Sequence, residues 1–154
     1  MEFQAIVALV KNKFPKTEVE LEKNLVVTRV DLIPFVEFIR TSPELQIDVL
    51  DLLTSTDHPA ENQIHMVYGF HSYRQRHYFI VKVKLDRKNP SVATLTRWWE
   101  SANWTEREVF DLMGVHFEGH PDQRRILTPP DFVGHGLRKD YERPGFFVKK
   151  PDFK

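Results

Sequence analysis

Three groups of residues in this chain have types and spacings that could do chemistry. His116 and His120 stand four apart, with Asp111 and His135 near them along the chain. Imidazoles with a carboxylate form a donor set that binds zinc or iron and can activate water for hydrolysis. An i, i+4 pair shares a face only on a helix, and Phe117-Glu118-Gly119 followed by Pro121 is not helical in character. The preferred reading is therefore histidines hydrogen-bonded into a turn. Glu106 and Glu108 are the second group. Residues two apart on a helix do not face each other, so these carboxylates make no acid/base dyad from that helix alone. Glu106 instead reads as completing the helix cap, with Arg107 pairing Asp111 at i, i+4. The third group is Arg124-Arg125, on a segment of extended character where successive side chains point to opposite sides. One can serve the domain's own carboxylates while the other faces outward. A guanidinium fork suits carboxylate or phosphate, so an interface contact and a surface ion pair are both open.

Other chemistries are excluded by what the sequence lacks. There is no G-x-G-x-x-G after a strand and no G-x-x-x-x-G-K-[ST], so NAD and ATP are not bound by those devices. Tyr73, Arg74, Arg76 and Tyr78 interleave aromatic and basic groups as single-strand nucleic-acid binders do, but four such residues on neighbouring strands read as ordinary sheet surface. Nucleic acid is not expected as a partner. The 154 residues contain no cysteine, which removes disulfides, thiolate nucleophiles and cysteine-ligated iron–sulfur clusters. Lysine plus arginine equals aspartate plus glutamate at 22 each, so no net field attracts polyanions. The start lacks a secretory or transit signal, and its apolar run, Ala5 to Val10, is too short to cross a bilayer. The expectation is a cytosolic chain that meets a membrane only through partners.

These residues must be positioned by a domain whose elements the periodicity outlines. Phe3, Ile6, Val7, Val10 and Phe14 recur at helical spacing, giving a helix from about residue 2 to about 13. From Thr17 to Val30 the period shortens to that of a hairpin turned at Glu22-Lys23-Asn24. Asp31 is placed to cap a second helix carrying Leu32, Phe35, Val36 and Ile39. Ile47 to Thr54, Gln63 to Phe70 and Tyr78 to Leu85 read as a meander of strands. Ser91 is read as the cap of a short helix through Trp98 and Trp99, and Asn103 as the cap of another, Trp104 to Met113, stopped by Gly114. The fold class expected is α+β: one domain, a mixed or antiparallel sheet with helices on one face. Its core is residues 1–130. Residues 131–154 form an extended, irregular tail, and from Arg124 onward eight basic residues stand against four acidic ones, suiting an acidic or polar partner surface.

Read without a gap, Glu106 to Leu127 is EREVFDLMGVHFEGHPDQRRIL, continued by TPPDFVGHGLRKDYERPG. This resembles the signature of the 30 kDa subunit family of respiratory complex I, the NADH-quinone oxidoreductase. The matching positions are Glu106, Arg107 and Glu108 of an ERE helix; Asp111, Gly114 and Phe117 of the turn after it; His120 and Pro121 of GHP; and Arg124, Arg125 and Leu127 of RRIL. His135, Arg138, Lys139 and Asp140 follow, with Gly136 where the family is expected to have proline. The stretch DVLDLLTSTDH also looks like the family's region between second helix and strand.

The resemblance implies a scaffold subunit of the peripheral arm of a proton-translocating NADH:quinone oxidoreductase. It would have no catalytic, cofactor-binding or metal-binding residue of its own, while FMN, iron–sulfur clusters, NADH and quinone belong to other subunits. Expected partners are the 49 kDa subunit that helps to form the quinone site and the subunit that carries the terminal iron–sulfur cluster. The expected place is the cytoplasmic side of the cell inner membrane, held peripherally. Two alternatives stand beside it: the equivalent subunit of a membrane-bound hydrogenase or other-donor dehydrogenase complex, and a metal-dependent hydrolase using the three histidines.

Overall fold

Alternation along two long strands sets the core. Side chains at every second position share a face of a strand, so Ile64, Met66, Tyr68 and Phe70 line up opposite Leu85, Val83, Val81 and Phe79, and all eight are buried. The computed structural model describes residues 2–20 and 24–142. Within them run α1 (Phe3–Lys13), β1 (Glu18–Glu20), β2 (Asn24–Val26), α2 (Leu32–Thr41), β3 (Val49–His58), β4 (Gln63–Ser72), β5 (His77–Asp86), β6 (Ser91–Ala93), α3 (Ser101–Met113) and β7 (His116–Glu118). A single 3₁₀ turn, Pro59–Glu61, joins β3 to β4. Glu22 and Lys23 of the expected hairpin turn, and residues 143–154 of the expected tail, lie outside the described residues.

The main sheet has the order β1-β2-β5-β4-β3, antiparallel except where β2 runs parallel to β5. A bulge at Asp51 shifts the β3 register between Leu50 and Leu52. The extra residue brings Leu50 and Leu53, three apart, both opposite core residues of β4, namely Phe70 and Tyr68. Gly69 sits where β3 and β5 crowd β4: a Cβ there would lie 2.5 Å from the Tyr78 hydroxyl and 2.9 Å from Leu52 Cβ.

Phe70 is the aromatic centre. Its ring lies 6.4 Å from Phe35 of α2, 6.0 Å from Phe79 and 5.5 Å from Trp99, while Phe14, after α1, stands 5.7 Å from Phe35. The apolar stripe of α2 thus covers the sheet on one side, as its periodicity predicts. The other side carries Lys82 and Lys84 paired to Glu20. The domain is α+β with a mixed five-stranded sheet.

Three expectations are corrected. Where a helix from Ser91 through Trp98 and Trp99 was expected, Ser91–Ala93 form β6, pairing in parallel with β7 so that Val92 and Phe117, both fully buried, lie side by side, and a turn follows. A β-branched residue with a buried partner strand gains more there than a helix start can offer. The last helix begins at Ser101, not after Asn103, and no side chain caps it. Asp31 does precede α2, but its carboxylate accepts from the Thr28 hydroxyl at 2.6 Å rather than from the helix. Among the described residues no helix is long and apolar enough to cross a membrane.

Because Phe70 packs against α2, β5 and the loop residue Trp99, Phe70→Ala should cost about 3–5 kcal/mol. Chemical denaturation is the check, and a loss under about 1 kcal/mol would show that the core is not centred there.

Candidate functional site

The signature segment folds as one hydrogen-bonded unit around Asp111. This side chain is fully buried near the end of α3. Its Oδ2 accepts from the backbone N–H groups of Ile126, Leu127 and Thr128 at 3.0, 2.8 and 2.8 Å. Its Oδ1 accepts from Arg125 Nη1 at 2.7 Å and from the Thr128 hydroxyl. Burial alone would raise the carboxyl pKa, but the donors from Thr128, Arg125 and Leu127 outweigh it and hold the group well below the usual carboxylate range.

The same segment answers a need of the helix. The last carbonyls of an α-helix have no partner within it. Here Asp111 O accepts from Arg125 Nη1 at 3.1 Å and from His135 Nδ1 at 3.0 Å. Leu112 O accepts from Leu137 N at 3.0 Å, and Met113 O from Arg138 Nε at 2.8 Å. Two guanidinium cations at the negative end of the helix dipole add to this. Gly114 makes it possible: its φ is +73°, and a Cβ there would lie 2.5 Å from the His135 ring.

A second knot ties the segment to the sheet. Arg87 donates to both oxygens of Asp57 at 2.7 and 3.0 Å and to Asp140 at 2.6 Å, while Lys139 N donates to Asp57 at 2.8 Å. The Arg87 hydrogen bonds pull the Asp57 pKa down to about 2. Gly136 has no left-handed φ, and a Cβ there would meet only the Phe132 ring at 3.8 Å.

Glu106 and Arg107 overturn the capping reading. Glu106 is fully buried and reaches out of its own helix: Oε1 accepts from Leu95 N at 2.7 Å and Oε2 from the Thr94 hydroxyl at 2.5 Å. Burial pushes its pKa up to about 7 against those two donors. Arg107 does not pair with Asp111. It donates to the carbonyls of Arg124 at 3.0 Å and Arg125 at 3.3 Å, while Asp111 already has five donors. Glu108 is exposed on the same helix. The adjacent arginines split: Arg125 turns inward, and Arg124 stays 80% exposed, paired with Asp122.

The three histidines do not converge. His116 is exposed. His120 accepts from Asp122 N at 3.0 Å through Nδ1, which leaves its hydrogen on Nε2 to donate to Asn103 O at 3.2 Å. The ring is therefore a turn brace, and its 3.8 Å approach to Glu106 is not an ion pair. His135 touches Asp111 only at the backbone carbonyl. Phe117 is core, and Pro121 borders a groove with Thr94, Trp104, Arg107 and Arg124. Chain spacing did not single out Asp57, Arg87 and Thr128; a lone Asp-His-Pro after a strand was the available signal for the first.

What this defines is a single α+β domain whose last helix is terminated by a long polar segment. The model of the family described as respiratory-chain NADH dehydrogenase, 30 Kd subunit, matches residues 25–146, and the chain belongs to that family. A relative from Moorella thermoacetica, itself a subunit of NADH-quinone oxidoreductase, is 55% identical over 89 residues, 58% of this chain and 60% of its own length. The chain spans about three fifths of the length of the curated relatives it matches first. Among solved structures, a chain of the membrane-bound sulfane sulfur reductase, an archaeal respiratory membrane complex, superposes with TM-score 0.70 at 25% identity, covering 90% of this chain and 85% of that one. A trypsin-resistant fragment of Nqo5 does so with TM-score 0.60 at 25% identity, covering 79% and 99%.

Asp111→Asn should cost about 3–5 kcal/mol, because it leaves Arg125 without its counter-charge and aims an amide at three N–H donors. Arg124→Ala should change stability by less than about 0.5 kcal/mol. Unfolding midpoints of the two variants test the division. The raised Glu106 pKa fixes a sign. Below pH 4.5 the carboxyl is protonated in both folded and unfolded chains; between 4.5 and about 7 only the folded chain keeps the proton, so stability falls as pH rises through that window. Glu106→Gln should remove that decline, and thermal unfolding of both proteins at pH 4.5 and pH 8 reads it directly.

Proposed function

We propose that this chain is a scaffold subunit in the peripheral arm of a proton-translocating NADH:quinone oxidoreductase. Electrons pass through FMN and iron–sulfur clusters carried by other subunits, and this chain gives assembly and shape. The observation that carries the reading is the signature itself: 22 continuous residues of the family pattern form the Asp111-centred unit and fix the outward face of the segment. Along this segment Leu127, Val133 and Leu137 are 61%, 69% and 61% exposed, and Arg124 is 80% exposed. Exposed apolar side chains together with an outward arginine on one segment suit a protein partner. The absence of cysteine from the sequence also fits a chain without iron–sulfur ligands.

The partners that fit are the 49 kDa subunit helping to form the quinone site and the subunit with the terminal cluster, on the cytoplasmic side of the inner membrane. Residues 131–154 are the part of the chain assigned to them. Of these, 131–142 are already laid on the domain through Leu137, Arg138 and Lys139.

A second reading keeps the scaffold role and changes the electron donor or acceptor. The superposition on a chain of the sulfane sulfur reductase complex, over 90% of this chain, favours keeping it. Affinity purification of the tagged chain from its host in mild detergent, followed by mass spectrometry, tests both. Flavin- and iron–sulfur-bearing subunits with an NADH site are expected together with integral membrane subunits. The same core without an NADH-binding subunit would support the second reading, and recovery of the chain alone would overturn the scaffold role. Leu127→Glu with Leu137→Glu should reduce recovery of partners about tenfold or more while leaving the fold intact.

A further inference from the structure

The turn between β3 and β4 holds a cluster outside the signature. His58 and His65 lie on one face of the hairpin, since Thr56 pairs with His65 and His58 with Gln63. Their rings stack at 3.9 Å with 21° between planes. Glu61, from the 3₁₀ turn, folds back over them: one carboxylate oxygen is 3.7 Å from His58 Nδ1 and the other 3.5 Å from His65 Nε2. One donor atom from each residue lies within 4.8 Å of the other two.

We infer that His58, Glu61 and His65 form a binding site for a divalent transition ion of zinc's type. Donors around a tetrahedral ion bound at about 2.1 Å stand about 3.4 Å apart, close to both carboxylate–imidazole separations here. Two imidazoles and one carboxylate are a borderline donor set, preferred by zinc over calcium or magnesium. These are not the histidines that spacing along the chain singles out.

Neighbouring contacts prepare the ligands. His58 Nε2 is 2.9 Å from the Thr56 hydroxyl, a bond that leaves Nδ1 free for an ion. Lys84, the cross-strand neighbour of His65, would repel a cation, but its ammonium is tied to Glu20 at 2.9 Å. Gln63 Oε1, 2.9 Å from His65 Nε2, is placed to give up that hydrogen bond and supply a fourth oxygen. Nearly parallel rings do not aim both lone pairs at one point, so loading must swing His58 about χ2. Its side chain is one-third exposed and has room to do so.

The full chain, freed of metal, should bind one equivalent of zinc by titration calorimetry, and cobalt(II) should give the visible absorption of a tetrahedral site. His58→Ala and Glu61→Gln should each weaken zinc binding about tenfold or more. Both side chains are on the surface of the turn, and circular dichroism should show both variants folded. His116→Ala, as control, should bind as the wild type does. Failure of the wild type to take up zinc, or one-to-one binding unchanged in both turn variants, would overturn the inference.

Discussion

Asp111 is the side chain on which the C-terminal third depends. A buried carboxylate is tolerated only with its lone pairs filled, and filling them here means drawing five donors from residues 125–128. That requirement places the loop, the loop places Arg125, and Arg125 with Arg138 closes the end of α3. Gly114 is the condition for this closure: with His135 drawn over the helix terminus, only a residue without Cβ fits beneath it.

The same helix holds a second buried carboxylate that behaves oppositely. Glu106 has one backbone and one hydroxyl donor and no cation bonded to it, so burial wins and its proton is held to near neutrality. Asp111 has a guanidinium and three amides, and its proton is lost early. Five residues apart, one carboxyl ties the start of the helix to the strand end at Thr94 and the other ties its close to the tail.

Local periodicity carried α1, α2 and β5, each with one buried stripe, while β3 and β4 were legible as apolar, β-branched runs between turn residues. The parallel pairing of β2 with β5 was not legible, since it is set by contacts more than fifty residues apart along the chain. The region after Pro90 misled for a physical reason. Ser91 and the two tryptophans look like a capped amphipathic turn, yet β7 gives Val92 a buried partner that no local window contains. The ERE run misled likewise: spacing puts Glu106 at a capping position and Arg107 above Asp111, and tertiary donors and acceptors took all three. The opposed arginines were legible, because extended backbone must alternate. The resemblance placed all of these residues in one unit without saying which bond joins which.

From Glu118 to Glu142 no residue is buried as a whole, so this stretch adheres by hydrogen bonds and ion pairs rather than by apolar area. Its release from the domain would therefore expose little hydrocarbon and carry little heat-capacity change. Such a clasp keeps its hold on cooling, where the apolar core weakens, and it lets go when strong acid protonates Asp57 and Asp111.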